Sequence, residues 1–188
     1  MLAIALACFD LYSLVRVNSG SARSAVVMAD YVSREAAPDG DQMAALGKFL
    51  RQTEFGAPSD LVYVVTAVQR PTDDGPAVVL WADNAIRLGD PTAVQALAGR
   101  CAQRAASGWR ATLLGPPEAS GLHKGEVAIV AEVCARPSRE GLLSSRLVAG
   151  DLYGMHILPM RDPDQIPSSP VRSTSSAPAG SAAGNPTA

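Results

Sequence analysis

The sequence predicts an α+β fold, in which a long N-terminal helix precedes a small head that contains helices and an antiparallel sheet. Residues 1–35 contain no proline and a single glycine, so one helix can run through them. Residues 61–69 and 77–83 are rich in β-branched and aromatic side chains and are joined by the turn-forming run RPTDDGP, which is typical of a hairpin. Helix and strand patterns do not alternate regularly along the chain, which argues against a doubly wound parallel sheet.

The first helix is predicted to end at the break Pro38-Asp39-Gly40. Asp41 is then the predicted cap of a second, short helix over about residues 42–52. The inward side of this helix is predicted to consist of Met43, Leu46, Phe49 and Leu50.

Three later elements are predicted in the same way. Pro91 suits the first turn of a helix over residues 91–107, and the apolar side of that helix is predicted to consist of Val94, Leu97, Ala98 and Cys101. The stretch EVAIVAEVC, residues 126–134, predicts a third strand, and LYGMHILPM, residues 152–160, predicts a fourth. In the third strand, one face is predicted to carry Val127, Ile129, Ala131 and Val133, and the other Glu126, Ala128, Val130 and Glu132.

These patterns divide the chain into three parts. Residues 1–35 are the N-terminal helix, and residues 36–162 are the head. Residues 163–188 consist mainly of Pro, Ser, Ala, Gly and Thr and carry two charges. Because so little apolar surface cannot offset the entropy lost on ordering, this tail is predicted to be disordered.

The charge of the chain argues against nucleic acid as a partner. The net charge is −2, and the arginines are scattered singly. Proteins that bind nucleic acid need clustered Lys and Arg to displace counterions from the phosphates. The sequence therefore predicts no nucleic-acid partner.

The cysteines and histidines do not form a recognisable catalytic or metal motif. Cys101, His123, Cys134 and His156 are separated by 22, 11 and 22 residues, which matches no zinc module. A Cys–His hydrolase would use either cysteine with the loop residue His123, but neither cysteine lies in a nucleophile motif. Phosphate-binding glycine motifs are also absent from the sequence. We therefore expect no catalytic site, no cofactor and no metal.

The first nine residues are apolar and are followed at once by Asp10. A bilayer span needs about 20 mostly apolar residues, so residues 1–9 are interpreted as the lower part of a membrane-anchoring helix that continues upstream. Leu2, Leu6 and Phe9 are the predicted membrane-anchor residues, and the head is expected to leave them uncovered. Further along, the small side chains of the run SGSARSA are predicted to permit close approach by a neighbouring helix.

The stretch ACFDLYSLVRVNSGSARSAVVMADYVSRE resembles TadE/TadF-like pseudopilins of the tight-adherence (Tad) pilus system, at the point where their membrane helix leaves the bilayer. An acidic residue beside an aromatic one, here Phe9-Asp10, comes first. A run of small residues with spaced Arg and Asn follows, and here it contains Arg16, Asn18, Ala22, Arg23 and Ala25. The stretch EVCARPSREGLL, residues 132–143, is similar to a strand end in the same family.

The resemblance implies a non-enzymatic, pilin-like protein that takes part in assembly of a Tad-type pilus or secretion apparatus. It implies a single N-terminal span in the inner membrane, with the head in the periplasm or outside the cell. The implied partners are other pilin-like or pilus-assembly subunits. The alternative is a soluble α+β ligand-binding or regulatory domain whose N-terminal helix serves in dimerisation, and a hydrolase ranks third.

A disulfide between Cys101 and Cys134 is predicted, with Cys8 left free. Cys101 lies on the apolar side of the helix over residues 91–107, which is expected to face the sheet. Alternation along the third strand turns Cys134 away from the face that carries Val133, which is an objection to the pairing. The alternative is two separate buried thiols, and the sequence leaves both open.

Overall fold

The computed structural model describes residues 2–35, 37–55, 60–116, 121–136, 151–162 and 166–170. Within these residues the α+β prediction is confirmed. A four-stranded antiparallel sheet has the strand order β2-β1-β3-β4. Its strands are β1 (Asp60–Gln69), β2 (Val78–Leu88), β3 (Val127–Arg136) and β4 (Leu152–Pro159).

Four α-helices and one π-helical turn accompany the sheet in the described part of the chain. The helices are α1 (Leu2–Ser33), α2 (Gly40–Leu50), α3 (Pro91–Ser107) and α4 (Trp109–Leu113), and the π-helical turn is Arg51–Phe55. The helix predicted over residues 91–107 is confirmed with the same bounds, and its cap is Asp90, whose carboxylate accepts from the backbone N–H groups of Thr92 and Ala93 at 3.0 and 2.9 Å.

The predicted hairpin of β1 and β2 is confirmed, and β1 also pairs with β3. Leu61 lies opposite Leu88 in β2 and opposite Ala135 in β3. Because β2 and β3 are both antiparallel to β1, they run parallel to each other with β1 between them. The chain therefore crosses the sheet between β2 and β3, and α3 is the element that makes this crossing, in contact with β1, β2 and β3.

The crossing gives the head three layers, because α1 and α2 lie on one face of the sheet while α3 and α4 lie on the other. The alternation predicted for β3 is visible in its packing. Ile129 and Val133 belong to the core shared with α1, Val130 belongs to the cluster around α4, and Cys134 belongs to the cluster around α3. A strand that is covered on both faces needs apolar residues at nearly every position.

The predictions for α2 were partly wrong. The helix begins at Gly40 and is capped by Asp39, whose Oδ1 accepts from Asp41 N at 2.8 Å, so Asp41 is a first-turn residue and not the cap. Phe49 is 59% exposed, although it was expected to face inward. The buried side contains Gly47, whose missing side chain leaves room for Ile86 and Tyr63. Since each helical residue turns about 100°, Phe49 lies on nearly the opposite side.

The C-terminal part of the chain is described only in part. Met160 is buried in the core shared with α1, and the indole Nε1 of Trp81 donates to Pro167 O at 2.8 Å. Residues 166–170 thus reach β2, which the tail prediction did not anticipate. Residues 163–165 and 171–188, the rest of the predicted tail, lie outside the described residues.

Candidate functional site

The second half of α1 packs against the head. Ala25, Met28, Ala29 and Val32 have no exposed surface. The helix runs parallel to β4, because Gly154 contacts Ser21 and, further along both elements, Arg161 N donates to Ser33 O at 3.2 Å. The run of small residues was expected to meet another helix. In the structure it meets strand β4 of the same chain, because Gly154 lets the helix backbone approach.

The π-helical turn holds α1 from a second side. Arg16 donates to Thr53 O at 3.2 Å, and the Nε of Arg23 lies 3.0 Å from Glu54 Oε2. The guanidinium group of Arg23 is largely exposed, so this ion pair contributes little stability. These contacts mark the point along α1 where the helix begins to pack against the head.

N-terminal to these contacts, the described side chains of α1 lie in solvent. Every side chain that the structure describes between residues 4 and 18 is exposed, including those of Ile4, Leu11, Tyr12 and Val15 at 67%, 51%, 64% and 65%. Such a run of exposed large apolar groups is typical of an interaction surface. We call these four residues the apolar surface of α1, and Cys8, a free and exposed thiol, lies among them.

The predicted anchor residues belong to the first part of α1. Leu2, Leu6 and Phe9 fall within the bounds of α1, but their side chains lie outside the described residues. In the described part of the chain, no helix combines the length and apolar character needed to cross a membrane.

Cys101 and Cys134 lie at disulfide distance, as predicted, with their Cα atoms 6.0 Å apart. The objection from strand alternation disappears because α3 covers the face of the sheet opposite to α1. Cys134 turns toward that face and meets Cys101 there. The pair links α3 to β3 in a small apolar cluster that also contains Val62, Val94 and Leu97.

The structure separates the histidines from the cysteines. His156 lies opposite Ala131 of β3, on the face covered by α1, whereas Cys134 is on the other face. His123 is exposed in the loop before β3. Within the described residues, no group of three or more His, Cys, Asp or Glu side chains is arranged to hold a metal ion.

A charged cluster fastens α3 to the start of β4. Asp151 accepts hydrogen bonds from Arg100 of α3 and, at 3.3 Å, from Arg136 of β3. Burial alone would raise the pKa of Asp151, but the hydrogen bonds and charges of the two arginines outweigh it, and the pKa is lowered. The carboxylate therefore stays ionised over a wide pH range.

A buried carboxylate lies on the same face of the sheet. Glu132 is 1% exposed, and its Oε1 accepts from the hydroxyl of Tyr153 at 2.6 Å. Burial raises the pKa of Glu132, although Tyr153, Trp109 and the charge of Arg110 partly oppose this. We call Glu132, Tyr153, Trp109 and Arg110 the Glu132 cluster.

From the sequence, Glu132 was predicted only as a member of one face of β3. The signal for its burial was the nearly continuous apolar run around it, which is typical of a strand covered on both faces. The side chains that approach it come from β4 and α4, and α4 was not predicted, since five residues after Gly108 are too few to show a helical pattern.

Comparison of the chain with protein-family models, curated proteins and solved structures finds no significant match. The function proposed below therefore rests on the residues and their geometry.

Proposed function

We propose that this chain is a TadE/TadF-like pseudopilin, which takes part in assembly of a Tad-type pilus or secretion apparatus. Its work is packing and not catalysis, and it needs no cofactor. The N-terminal part of α1 belongs to a single span in the inner membrane, and the head lies in the periplasm or outside the cell. Its partners are other pilin-like or pilus-assembly subunits.

The observation that carries the proposal is the division of α1 into two parts. From Gly20 onward, the helix packs on the sheet through side chains that are mostly small, which ties it firmly to the head. Between residues 4 and 18 its described side chains are exposed, and the apolar surface of α1 offers four large groups with no cover from the described head. An anchoring helix needs this combination, because one part must hold the head while the other is free to enter a membrane or to pack against partner helices.

The topology of the head supports the same orientation. The N-terminal part of α1 leaves the sheet at the end where β3 stops and β4 begins, since α1 is parallel to β4 and Ser21 lies beside Gly154. The segment 166–170 lies at the opposite end, next to Trp81 near the start of β2. A membrane at the α1 end thus leaves the other end of the head accessible to partner subunits.

The Cys101–Cys134 pair supports a location outside the cytoplasm, because disulfides persist mainly in oxidising compartments. The proposal also requires about ten further apolar residues upstream of residue 1, to reach the ~20 that cross a bilayer. Reading the codons upstream of this sequence in its genome tests that requirement directly.

The decisive experiment uses Cys8 as a reporter of membrane position. The chain is expressed from its own locus, its membranes are extracted with carbonate, and its thiols are treated with a maleimide that does not cross lipid. We expect the chain to stay in the membrane fraction and Cys8 to react only after detergent is added.

A matched control places a thiol on the head. The double variant Cys8→Ser, Ala45→Cys carries its thiol at an exposed position of α2, and it should react without detergent. If the chain is found in the soluble fraction, or if Cys8 reacts as readily as the thiol at position 45, the pseudopilin proposal is wrong. A soluble dimer joined through the apolar surface of α1 would then be favoured.

A further inference from the structure

The Glu132 cluster contains hydrogen-bond donors that lack acceptors. Trp109 Nε1 and Arg110 Nε are buried and have no hydrogen-bond partner among the described residues, and Trp109 is only 4% exposed. Both groups belong to α4 and both act on the carboxylate of Glu132, whose Oε1 accepts from the Tyr153 hydroxyl at 2.6 Å. Buried donors without acceptors are costly, so a small movement that brings them to the carboxylate is favourable once it is ionised.

The surroundings of the carboxylate hold few other charges. From α3, Arg104 places its Cζ 6.0 Å from the ring centre of Tyr153. From α4, the Cζ of Arg110 lies 5.1 Å from the ring centre of Trp109. From β1, the residues on this face are Val62, Val64, Thr66 and Val68, so that strand adds no charge there. The negative charge of an ionised Glu132 is therefore stabilised mainly by the donors of α4 and by the Tyr153 hydroxyl.

We propose that Glu132 is the ionisable element of a pH-dependent latch for α4. The ionised carboxylate accepts from the indole N–H of Trp109 and the Nε–H of Arg110, which draws α4 onto the sheet. The protonated carboxyl has no charge to attract Arg110, and it releases both donors while it keeps its contact with Tyr153. The latch thus sets how firmly α4 covers this face of the head, and it does not depend on the proposed function.

The rest of the α3–α4 layer does not respond in the same pH range. Burial raises the pKa of Glu132, so this group takes up its proton closer to neutrality than an ordinary glutamic acid does. The pKa of Asp151 is lowered, so the contacts from Arg100 and Arg136 persist while Glu132 titrates. The Cys101–Cys134 pair, whose Cα atoms are 6.0 Å apart, also links α3 to β3.

The two tryptophans of the chain allow the latch to be observed directly by NMR. The indole N–H resonance of Trp109 reports on the latch, and that of Trp81, which donates to Pro167 O, is an internal reference. We follow both in the full chain from about pH 4 to about pH 9. On raising the pH, the Trp109 indole proton should shift downfield, with a midpoint above the ordinary range of a glutamic acid, and its exchange with water should become slower relative to the intrinsic, base-catalysed rate. The Trp81 resonance should not show this midpoint.

Three variants identify the group that titrates. Glu132→Gln keeps the shape of the side chain and should abolish the Trp109 transition. Glu126→Gln, at a less buried position just before β3, should leave it unchanged. Arg110→Gln removes a charge that lowers the pKa of Glu132, so the midpoint should move to higher pH, and this variant remains informative if Glu132→Gln does not fold. A Trp109 resonance that is independent of pH in the natural chain, or a transition that survives Glu132→Gln with the same midpoint, would overturn the latch.

Discussion

Replacement of Gly154 by alanine should loosen the attachment of α1 to the head. Gly154 lies in β4 on the face covered by α1. A Cβ atom at this position would lie 2.5 Å from Ser21 O and 2.6 Å from Ala22 N. These atoms belong to the helix backbone, so no side chain can rotate away to make room. Either α1 or β4 must move.

The size of the effect follows from these distances. A Cβ needs about 3.4 Å to reach ordinary van der Waals contact, so the two elements must separate by about 1 Å. This displacement opens the layer in which Ala25, Met28 and Val32 are fully buried. Overpacking of this kind costs about 1–3 kcal/mol of unfolding free energy. In a protein of this size, each kcal/mol lowers Tm by about 2–4 °C.

The measurement is urea unfolding of the full chain without reductant, followed by circular dichroism. Gly99→Ala is the matched control, because a Cβ at that position of α3 would have no heavy atom within 4 Å. Since alanine is favoured over glycine inside a helix by about 1 kcal/mol, the control should be as stable as the natural chain or more so. If Gly154→Ala unfolds at the same urea concentration as the natural chain, the close approach of α1 to β4 is wrong.

Three further predictions concern the thiols, the Asp151 cluster and the C-terminal segment. Thiol counting on the unfolded, unreduced chain should find one reactive thiol, that of Cys8. Three reactive thiols would show that no Cys101–Cys134 bridge forms. Loss of the bridge should lower the free energy of unfolding by about 2–4 kcal/mol. Because the folded-state pKa of Asp151 is lowered, the stability that its carboxylate contributes is present above the unfolded pKa and is lost as the pH falls through the folded pKa. Asp151→Asn should therefore lower Tm at neutral pH, and this deficit in Tm should shrink in acid. A deficit in Tm that is independent of pH would contradict the prediction. Trp81→Phe removes the donor to Pro167 O, which should lower the free energy of unfolding by about 1 kcal/mol. It should also speed hydrogen exchange in residues 166–170. Unchanged exchange in these residues would show that the hydrogen bond does not hold the segment.

Several elements could be predicted because their signals are local. The strands β1 and β3 are runs of β-branched residues, and helix α3 begins at a proline that follows a capping Asp90. Each signal lies within the element itself, and no distant contact opposes it. The inward side of α2 was harder to predict, because hydrophobicity favours Phe49 at the core while the space around Gly47 admits Ile86 and Tyr63 instead.

The candidate sites, too, could be predicted from the sequence only where their signals are local. A free Cys8 among apolar residues was visible in the sequence, and so was the run of small residues in α1. The partner of that run was not, because it is Gly154, more than 130 positions later in the chain. The Glu132 cluster joins strands β3 and β4 with helix α4, and no spacing within one element could have indicated it.

The sequence by itself determined which residues share a face of each strand and which side of α3 is apolar, because both follow from backbone periodicity. Only the tertiary structure decided which face each helix covers. The crossing of α3 between β2 and β3 places it on the face opposite to α1, and this one choice brings Cys134 to Cys101 and buries Glu132 beneath α4. Periodicity is repeated every few residues and cannot specify a layer, whereas the choice of layer depends on how the whole chain can cover both faces of one sheet.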